Sequence, residues 1–199
     1  EDGGSHQMLE DIALMRAVPN MTVLVPADGV ETKQAVMAAA EYNGPVYIRL
    51  GRPKVPVLFD DDYKFEIGKG IVLKEGSDVT LIGTGIMVSK ALEAAELLAA
   101  DGISAAVVNI STIKPLDHAL ITEMAQKTGA VVTCEEHNIY GGLGSAVAEA
   151  LVENAPVPMA RVGVNDSFGE SGLPDQLLEK YGLTAAHIVE KAKAVIARK

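Results

Sequence analysis

Val79-Thr80-Leu81-Ile82, then Gly83-Thr84-Gly85, then Met87 to Ala100 read as a strand, a tight turn and a helix, and this order recurs down the chain. Ala105 to Val108 is the next apolar strand, with a helix over Asp117 to Gln126. Ala130 to Thr133 is a third strand, followed by a loop from Glu135 to Gly142 and a helix from Leu143 to Glu153. Met159 to Val162 is the last strand and Ala185 to Arg198 the closing helix, while Ile71 to Leu73 can add an edge strand. Short apolar runs alternating with helical patterns specify an α/β fold with a mostly parallel sheet and helices on both faces. In such sheets ligands meet the loops at the carboxyl ends of the strands.

Upstream the same grammar begins earlier and then breaks. Leu9, Ile12, Ala13 and Met15 have the spacing of an amphipathic helix over Met8 to Val18, with Ser5 available as its cap and Pro19-Asn20 as its stop. Thr22 to Val25 reads as a strand, Val30 to Glu41 as a helix, and Val46 to Arg49 as a strand that runs into the loop Gly51-Arg52-Pro53. From Arg52 to about Phe65 the texture changes to Pro53, Pro56 and Asp60-Asp61-Asp62, with no sustained period until Lys69. The expected organisation is a first unit over 1–52, a linker over 53–68 and a second unit over 69–199. The chain opens on a Gly-rich polar loop without an initiator Met, as the middle of a longer polypeptide would.

Composition narrows the function classes. The 199 residues are enough for a buried core, and 48% are hydrophobic, so disorder is not expected. No apolar run approaches the roughly 18 residues of a membrane span, and the acidic start lacks the order of a secretory signal. The expectation is a soluble cytoplasmic protein. Seventeen Lys and Arg against 27 Asp and Glu give a net charge of −10, with no basic stripe, which argues against nucleic acid. The single cysteine, Cys134, excludes an intrachain disulfide, and the four His lack zinc spacing, so no structural metal is expected.

Four loops bear on chemistry. Asp2-Gly3-Gly4-Ser5-His6-Gln7 brings a carboxylate, glycines, a hydroxyl and an imidazole together just before a helix, as either a ligand-approach loop or an ordinary capping loop. Arg49-Leu50-Gly51-Arg52 ends a strand, with Arg49 and Leu50 on opposite faces and Arg52 in the loop. Arg52 can grip a phosphate or carboxylate, or simply pair with a surface acid. Gly83-Thr84-Gly85 lacks the third glycine of a dinucleotide fingerprint and the Lys of a phosphate loop, so it reads as a tight turn. Cys134-Glu135-Glu136-His137 invites a nucleophile reading, but a lone Cys at a strand end is more commonly a small buried apolar residue.

Taken in order, these motifs resemble one family. Asp2-Gly3-Gly4-Ser5-His6, Leu9 to Arg16, Pro19-Asn20-Met21, Pro26-Ala27-Asp28 and Leu50-Gly51-Arg52 look like the later part of the pyrimidine-binding domain of transketolases. Glu135-Glu136-His137-Asn138, Gly141-Gly142-Leu143-Gly144-Ser145, Phe168-Gly169-Glu170-Ser171-Gly172 and Tyr181-Gly182-Leu183-Thr184 look like the transketolase C-terminal domain. The resemblance covers essentially the whole chain, and it implies a partial pyrimidine-binding domain followed by a complete C-terminal domain.

What the resemblance implies is a thiamine diphosphate enzyme moving a two-carbon ketol unit from a ketose phosphate to an aldose phosphate, with the thiamine carbanion as nucleophile and electron sink. By resemblance Asp2 binds a donor-sugar hydroxyl, His6 lies beside the thiamine as a catalytic and substrate-binding residue, and Arg52 grips the substrate phosphate. The family loop usually reads Asp-Gly-Pro-Thr-His, and Gly4 and Ser5 here replace Pro and Thr. The glutamate that activates the cofactor ring and the domain holding diphosphate and Mg2+ are absent from the chain, so no cofactor-binding residue is assigned. The fragment alone is expected to be inactive and to need a diphosphate-binding half or subunit, within a homodimer or heterotetramer. Deoxyxylulose-phosphate synthase, the beta subunit of 2-oxo acid dehydrogenases and a non-catalytic assembly module are the alternatives.

Overall fold

The computed structural model describes residues 4–199. Its first elements are α1 (Asp11–Ala17), β1 (Thr22–Leu24), α2 (Gly29–Glu41) and β2 (Val46–Ile48). Then follow β3 (Ile71–Lys74), β4 (Val79–Gly83), α3 (Met87–Ala100), β5 (Ala105–Asn109) and β6 (Thr112–Lys114). The chain ends with α4 (His118–Thr128), β7 (Val131–Asn138), α5 (Leu143–Asn154), β8 (Met159–Val164), α6 (Pro174–Lys180) and α7 (Ala185–Ile196).

A five-stranded sheet in the order β3-β5-β4-β7-β8 forms the larger layer. β4, β5, β7 and β8 pair in parallel, and β3 lies antiparallel at the edge beside β5. Its central strands are apolar on both faces because both faces are covered. Val79, Leu81, Val107 and Val132 point into a core with α3 and α7, including Ala91, Leu98, Ile188 and Ala192. Ile82, Ala106, Val108 and Val131 face the opposite way, into a core with Ile121 and Met124 of α4 and Val147 of α5. The α/β class, the mostly parallel sheet and the helices on both faces are as the sequence predicts.

The second core reaches further than expected. It also holds Ile12, Val23, Val25 and Ile113, so α1 and β1 pack into the α4 and α5 side of the larger unit. A three-stranded sheet in the order β2-β1-β6 joins the two parts, with β1 parallel to β2 and antiparallel to β6. Strand β6 is absent from the sequence-based expectation; it has three residues, two of them polar, and is followed by Pro115. Its partner β1 lies far upstream, a pairing that periodicity cannot reveal.

Two local corrections matter for the site. α1 begins at Asp11 with Glu10 at its cap position and no side-chain cap, and Ser5 Oγ instead contacts His6 Nδ1 at 3.0 Å. β7 continues through Asn138, so Glu135, Glu136 and His137 belong to a strand and not to a loop. α6 is a further element that periodicity does not announce, a short helix started by Pro174.

Between β2 and β3 the backbone has no regular element, yet it is tethered. Asp28 caps α2 by accepting the Glu31 N–H at 2.8 Å, and its second oxygen accepts the N–H groups of Leu58 at 2.7 Å and Phe59 at 3.0 Å. Phe59 and Tyr63 stack with ring centroids 4.0 Å apart. No helix among the described residues is long and apolar enough to cross a membrane.

Candidate functional site

A cleft of about 400 Å³ opens where β2 ends, bordered by His6, Asp11, Tyr47, Arg49 and Arg52 and, from the larger unit, Glu136. This is the carboxyl end of a parallel strand, where an α/β architecture leaves its loops free for ligands. His6 and Arg52, singled out from sequence, therefore line one space. Both are exposed, and Leu50 between the two arginines is 56% exposed, leaving an apolar side chain at the rim. Asp2 lies outside the described residues.

The deeper wall is a charge network that sequence reading did not assign. Arg49 Nε is 3.0 Å from Asp11 Oδ2 and its Nη1 is 3.2 Å from Glu136 Oε2. Its Nη2 donates to the Met8 carbonyl at 3.1 Å, and Tyr47 donates its hydroxyl to Asp11 at 2.7 Å. Burial opposes the Arg49 charge, and the Asp11 and Glu136 carboxylates overcome it, holding the guanidinium cationic. Burial and the Asp11 carboxylate push the Tyr47 phenol up to about 12, so it acts as a donor throughout the physiological range. A signal was present in the sequence. Alternation put Arg49 and Leu50 on opposite faces without saying which faces inward; with Leu50 exposed it is Arg49 that turns in, and an inward Arg demands a carboxylate partner.

Beneath this network the end of β7 and the start of α5 form a second polar layer. Glu135, 0% exposed, accepts the N–H of Leu143 at 2.7 Å and of Gly144 at 2.8 Å. Burial pushes its carboxyl up to about 7, against those two donors and the charges of Arg16 and Arg161. Only glycine fits at position 142, where a Cβ would collide with the Glu135 carboxylate. Arg16 donates from α1 to the Gly141 carbonyl at 2.6 Å, tying the first helix to this glycine turn. His137, also fully buried, has Nδ1 2.7 Å from the Asn138 carbonyl and receives the Ala13 N–H at Nε2 at 3.4 Å. Those partners require Nδ1–H and a bare Nε2, the neutral imidazole, and burial accordingly lowers its pKa.

The remaining sequence candidates resolve as structural parts. Gly83-Thr84-Gly85 is a tight turn in which Gly85 has φ 55° and Thr84 Oγ1 donates to the Val25 carbonyl at 3.2 Å, docking the turn on the chain just after β1. Cys134 is buried in the core, and burial with the neighbouring Glu135 pushes its thiol far up, so it is a packing residue. Among the described residues, no group of three or more His, Cys, Asp or Glu is arranged to hold a metal ion. Asp11 and Glu136, the carboxylates of the cleft, are engaged by Arg49, so the donor set does not fit a diphosphate held through a divalent cation.

Comparison with known proteins accounts for both parts of the chain. Residues 1–57 match the family model of the transketolase pyrimidine binding domain, and residues 68–188 match that of the transketolase C-terminal domain. A 6-deoxy-6-sulfo-D-fructose transketolase subunit from Clostridium sp. (strain MSTE9) is 51% identical over 199 residues, covering 100% of this chain and 62% of the relative. A putative transketolase C-terminal section from Methanocaldococcus jannaschii is 47% identical over 194 residues, covering 96% of this chain and 60% of the relative. A solved structure described as a split gene transketolase, inactive beta4 tetramer, superposes with TM-score 0.95 at 57% identity, covering 98% of this chain and 64% of that one. The chain thus spans less than two thirds of each of these proteins, and it belongs to the transketolase family, carrying pyrimidine-binding-domain sequence followed by C-terminal-domain sequence.

Proposed function

We propose that this chain is the C-terminal part of a transketolase that transfers a two-carbon ketol unit from a ketose phosphate to an aldose phosphate, and that it is inactive alone. One observation carries the reading: His6 and Arg52 border a single cleft at the carboxyl end of β2. In it Arg52 holds the phosphate tail by charge-assisted hydrogen bonds and His6 binds a hydroxyl or moves a proton at the reacting end; the binding of a donor-sugar hydroxyl by Asp2, outside the described residues, rests on the family resemblance alone. The carbanion chemistry is supplied by thiamine diphosphate, which transketolase-family proteins generally use. Because the cleft does not suit a diphosphate and its Mg2+, those are assigned to an N-terminal half or partner subunit.

The division into a first unit over 1–52, a linker over 53–68 and a second unit over 69–199 belongs to the same reading, as do a pentose phosphate role and a cytoplasmic location. The solved relative, an inactive beta4 tetramer of a split gene transketolase, supports both the inactivity of the isolated chain and its self-association. In the active assembly the expected form is a homodimer of fused chains or a heterotetramer of two subunit types.

The test is reconstitution. The full-length parent, mixed with its diphosphate-binding half, thiamine diphosphate and magnesium, should convert xylulose 5-phosphate and ribose 5-phosphate by ketol transfer, whereas this chain alone should not. Absence of transfer in the complete mixture would refute the assignment.

A further inference from the structure

Residues on both sides of His6 are pinned, while His6 itself meets its neighbour Ser5, Oγ to Nδ1, at 3.0 Å. Two residues later, the Met8 carbonyl receives Arg49 Nη2 at 3.1 Å, and the next carbonyl, of Leu9, accepts the Asn138 N–H from the end of β7 at 2.8 Å. On the other side, Gly4 lies so close to the Gly169 carbonyl that a Cβ there would stand 2.7 Å from it. The loop that presents His6 is therefore held in part from outside its own segment, by Arg49 and by the end of β7.

Arg49 is the centre of that hold. A guanidinium offers five N–H donors in one rigid plane, and here Nε meets Asp11 of α1, Nη1 meets Glu136 of β7 and Nη2 meets the backbone of Met8. Asp11 is fixed in turn by the Tyr47 hydroxyl at 2.7 Å. The Arg49 side chain is only 15% exposed, against 31% for Glu136, so the fork forms the deeper wall of the cleft with its carboxylates already bound. Arg52, by contrast, is exposed in the loop beyond Gly51.

We infer that Arg49 is a positioning residue for His6, its fork clamping the Met8 carbonyl against Asp11 and Glu136, so that the larger unit sets the site's geometry through Glu136. An ammonium gathers its three donors on one nitrogen and cannot span the three partners that Nε, Nη1 and Nη2 reach from separate positions, so charge alone does not replace the fork. The kinetic consequence rests on the ketol-transfer reading above; the clamp itself does not.

The experiment compares the full-length parent with Arg49→Lys and Glu136→Gln, each assembled with the diphosphate-binding half. Amide hydrogen exchange of residues 4–10 and steady-state kinetics with sugar phosphates are the readouts. Arg49→Lys should speed exchange in this loop by about tenfold while the amides of β4 stay protected. It should lower kcat by about tenfold and change the KM for the phosphorylated acceptor by less than about threefold. Glu136→Gln, which loses one charged arm of the clamp, should produce the same pattern at smaller size and decides the matter by itself if Arg49→Lys does not fold. Parent-like exchange in the variants overturns the clamp, and faster exchange with unchanged kcat overturns its role in positioning. A raised KM with unchanged kcat and exchange also overturns it, because Arg49 would then be binding substrate directly. A parent assembly without ketol transfer would refute the functional reading, and the exchange comparison would still decide whether the clamp exists.

Discussion

Glu135 on β7 accepts the N–H of Leu143, the first residue of α5, at 2.7 Å, so a buried side chain from the sheet does what a capping residue on the helix would ordinarily do. Gly142 occupies the formal cap position and has no side chain to offer. Gly142→Ala drives a methyl group into the carboxylate, and Glu135 has no exposed space to retreat into. The expected loss is about 1–3 kcal/mol of unfolding free energy, from overpacking together with a disturbed cap. Denaturant unfolding of the two proteins, read by circular dichroism, measures it, and an unchanged midpoint would show that the contact is relieved at no cost.

The same carboxyl makes stability depend on pH. Its folded-state pKa is raised to about 7 from the ordinary value of 4.5, because burial disfavours the anion more than the α5 donors favour it. The folded protein therefore binds more protons than the unfolded chain between these values. The stabilisation is fully present below about 4.5 and is lost as pH rises through about 7, where the cost reaches on the order of 3 kcal/mol. His137 works in the opposite direction, since its lowered pKa favours the neutral ring as pH rises toward 6.5. Comparing parent with Glu135→Gln isolates the carboxyl: the difference in unfolding free energy should change between about pH 5 and 7 and be flat above about 8. A pH-independent difference would refute the shift.

Glu31 is the corresponding knot between the two parts of the chain. It is 0% exposed and accepts the Ala27 N–H at 2.7 Å, the Tyr63 hydroxyl at 2.6 Å and the Asn109 amide at 2.8 Å, joining α2, the segment before β3 and β5. Glu31→Ala strands two buried donors, the Ala27 N–H and the Asn109 amide, each worth roughly 1–3 kcal/mol when left unpaired, and releases the half-buried Tyr63 hydroxyl. We expect a loss of at least about 2 kcal/mol and faster proteolysis between Arg52 and Tyr63, which mass spectrometry of a limited digest would locate.

Much of this architecture was legible because β4, β5 and the first half of β7 are short apolar runs separated by helices of ordinary length. The features that escaped reading share a physical cause. β6 exists because β1 is beside it, β7 extends to Asn138 because Val164 pairs there, and α6 is a short helix defined by packing. At the site, Arg52 and His6 stood out as polar residues in loops. The Arg49, Asp11 and Glu136 network did not, since Asp11 and Glu136 lie 38 and 87 positions from Arg49 and only folding brings them together.

His6→Ala should depress turnover more than substrate affinity, because the imidazole borders the cleft at the reacting end in the proposed reading. The expected fall in kcat is about 100-fold, within the range for loss of a proton-transferring group. Steady-state kinetics of the reconstituted enzyme measure it, and an unchanged rate would return His6 to an ordinary loop residue.

Arg52→Ala tests the other end of the cleft. A guanidinium that binds a phosphate tail contributes roughly 1.5–3 kcal/mol, which corresponds to a rise in KM of about tenfold or more for phosphorylated substrates. Unphosphorylated analogues lack the partner for that charge and should be affected only slightly. The comparison is internally controlled, since any general damage to the loop between Gly51 and Pro53 would weaken both substrate types alike. Arg52→Lys should recover part of the affinity, because the ammonium keeps the charge while losing the bidentate geometry. Equal losses for phosphorylated and unphosphorylated substrates would remove Arg52 from phosphate binding and leave it as a structural member of the cleft rim.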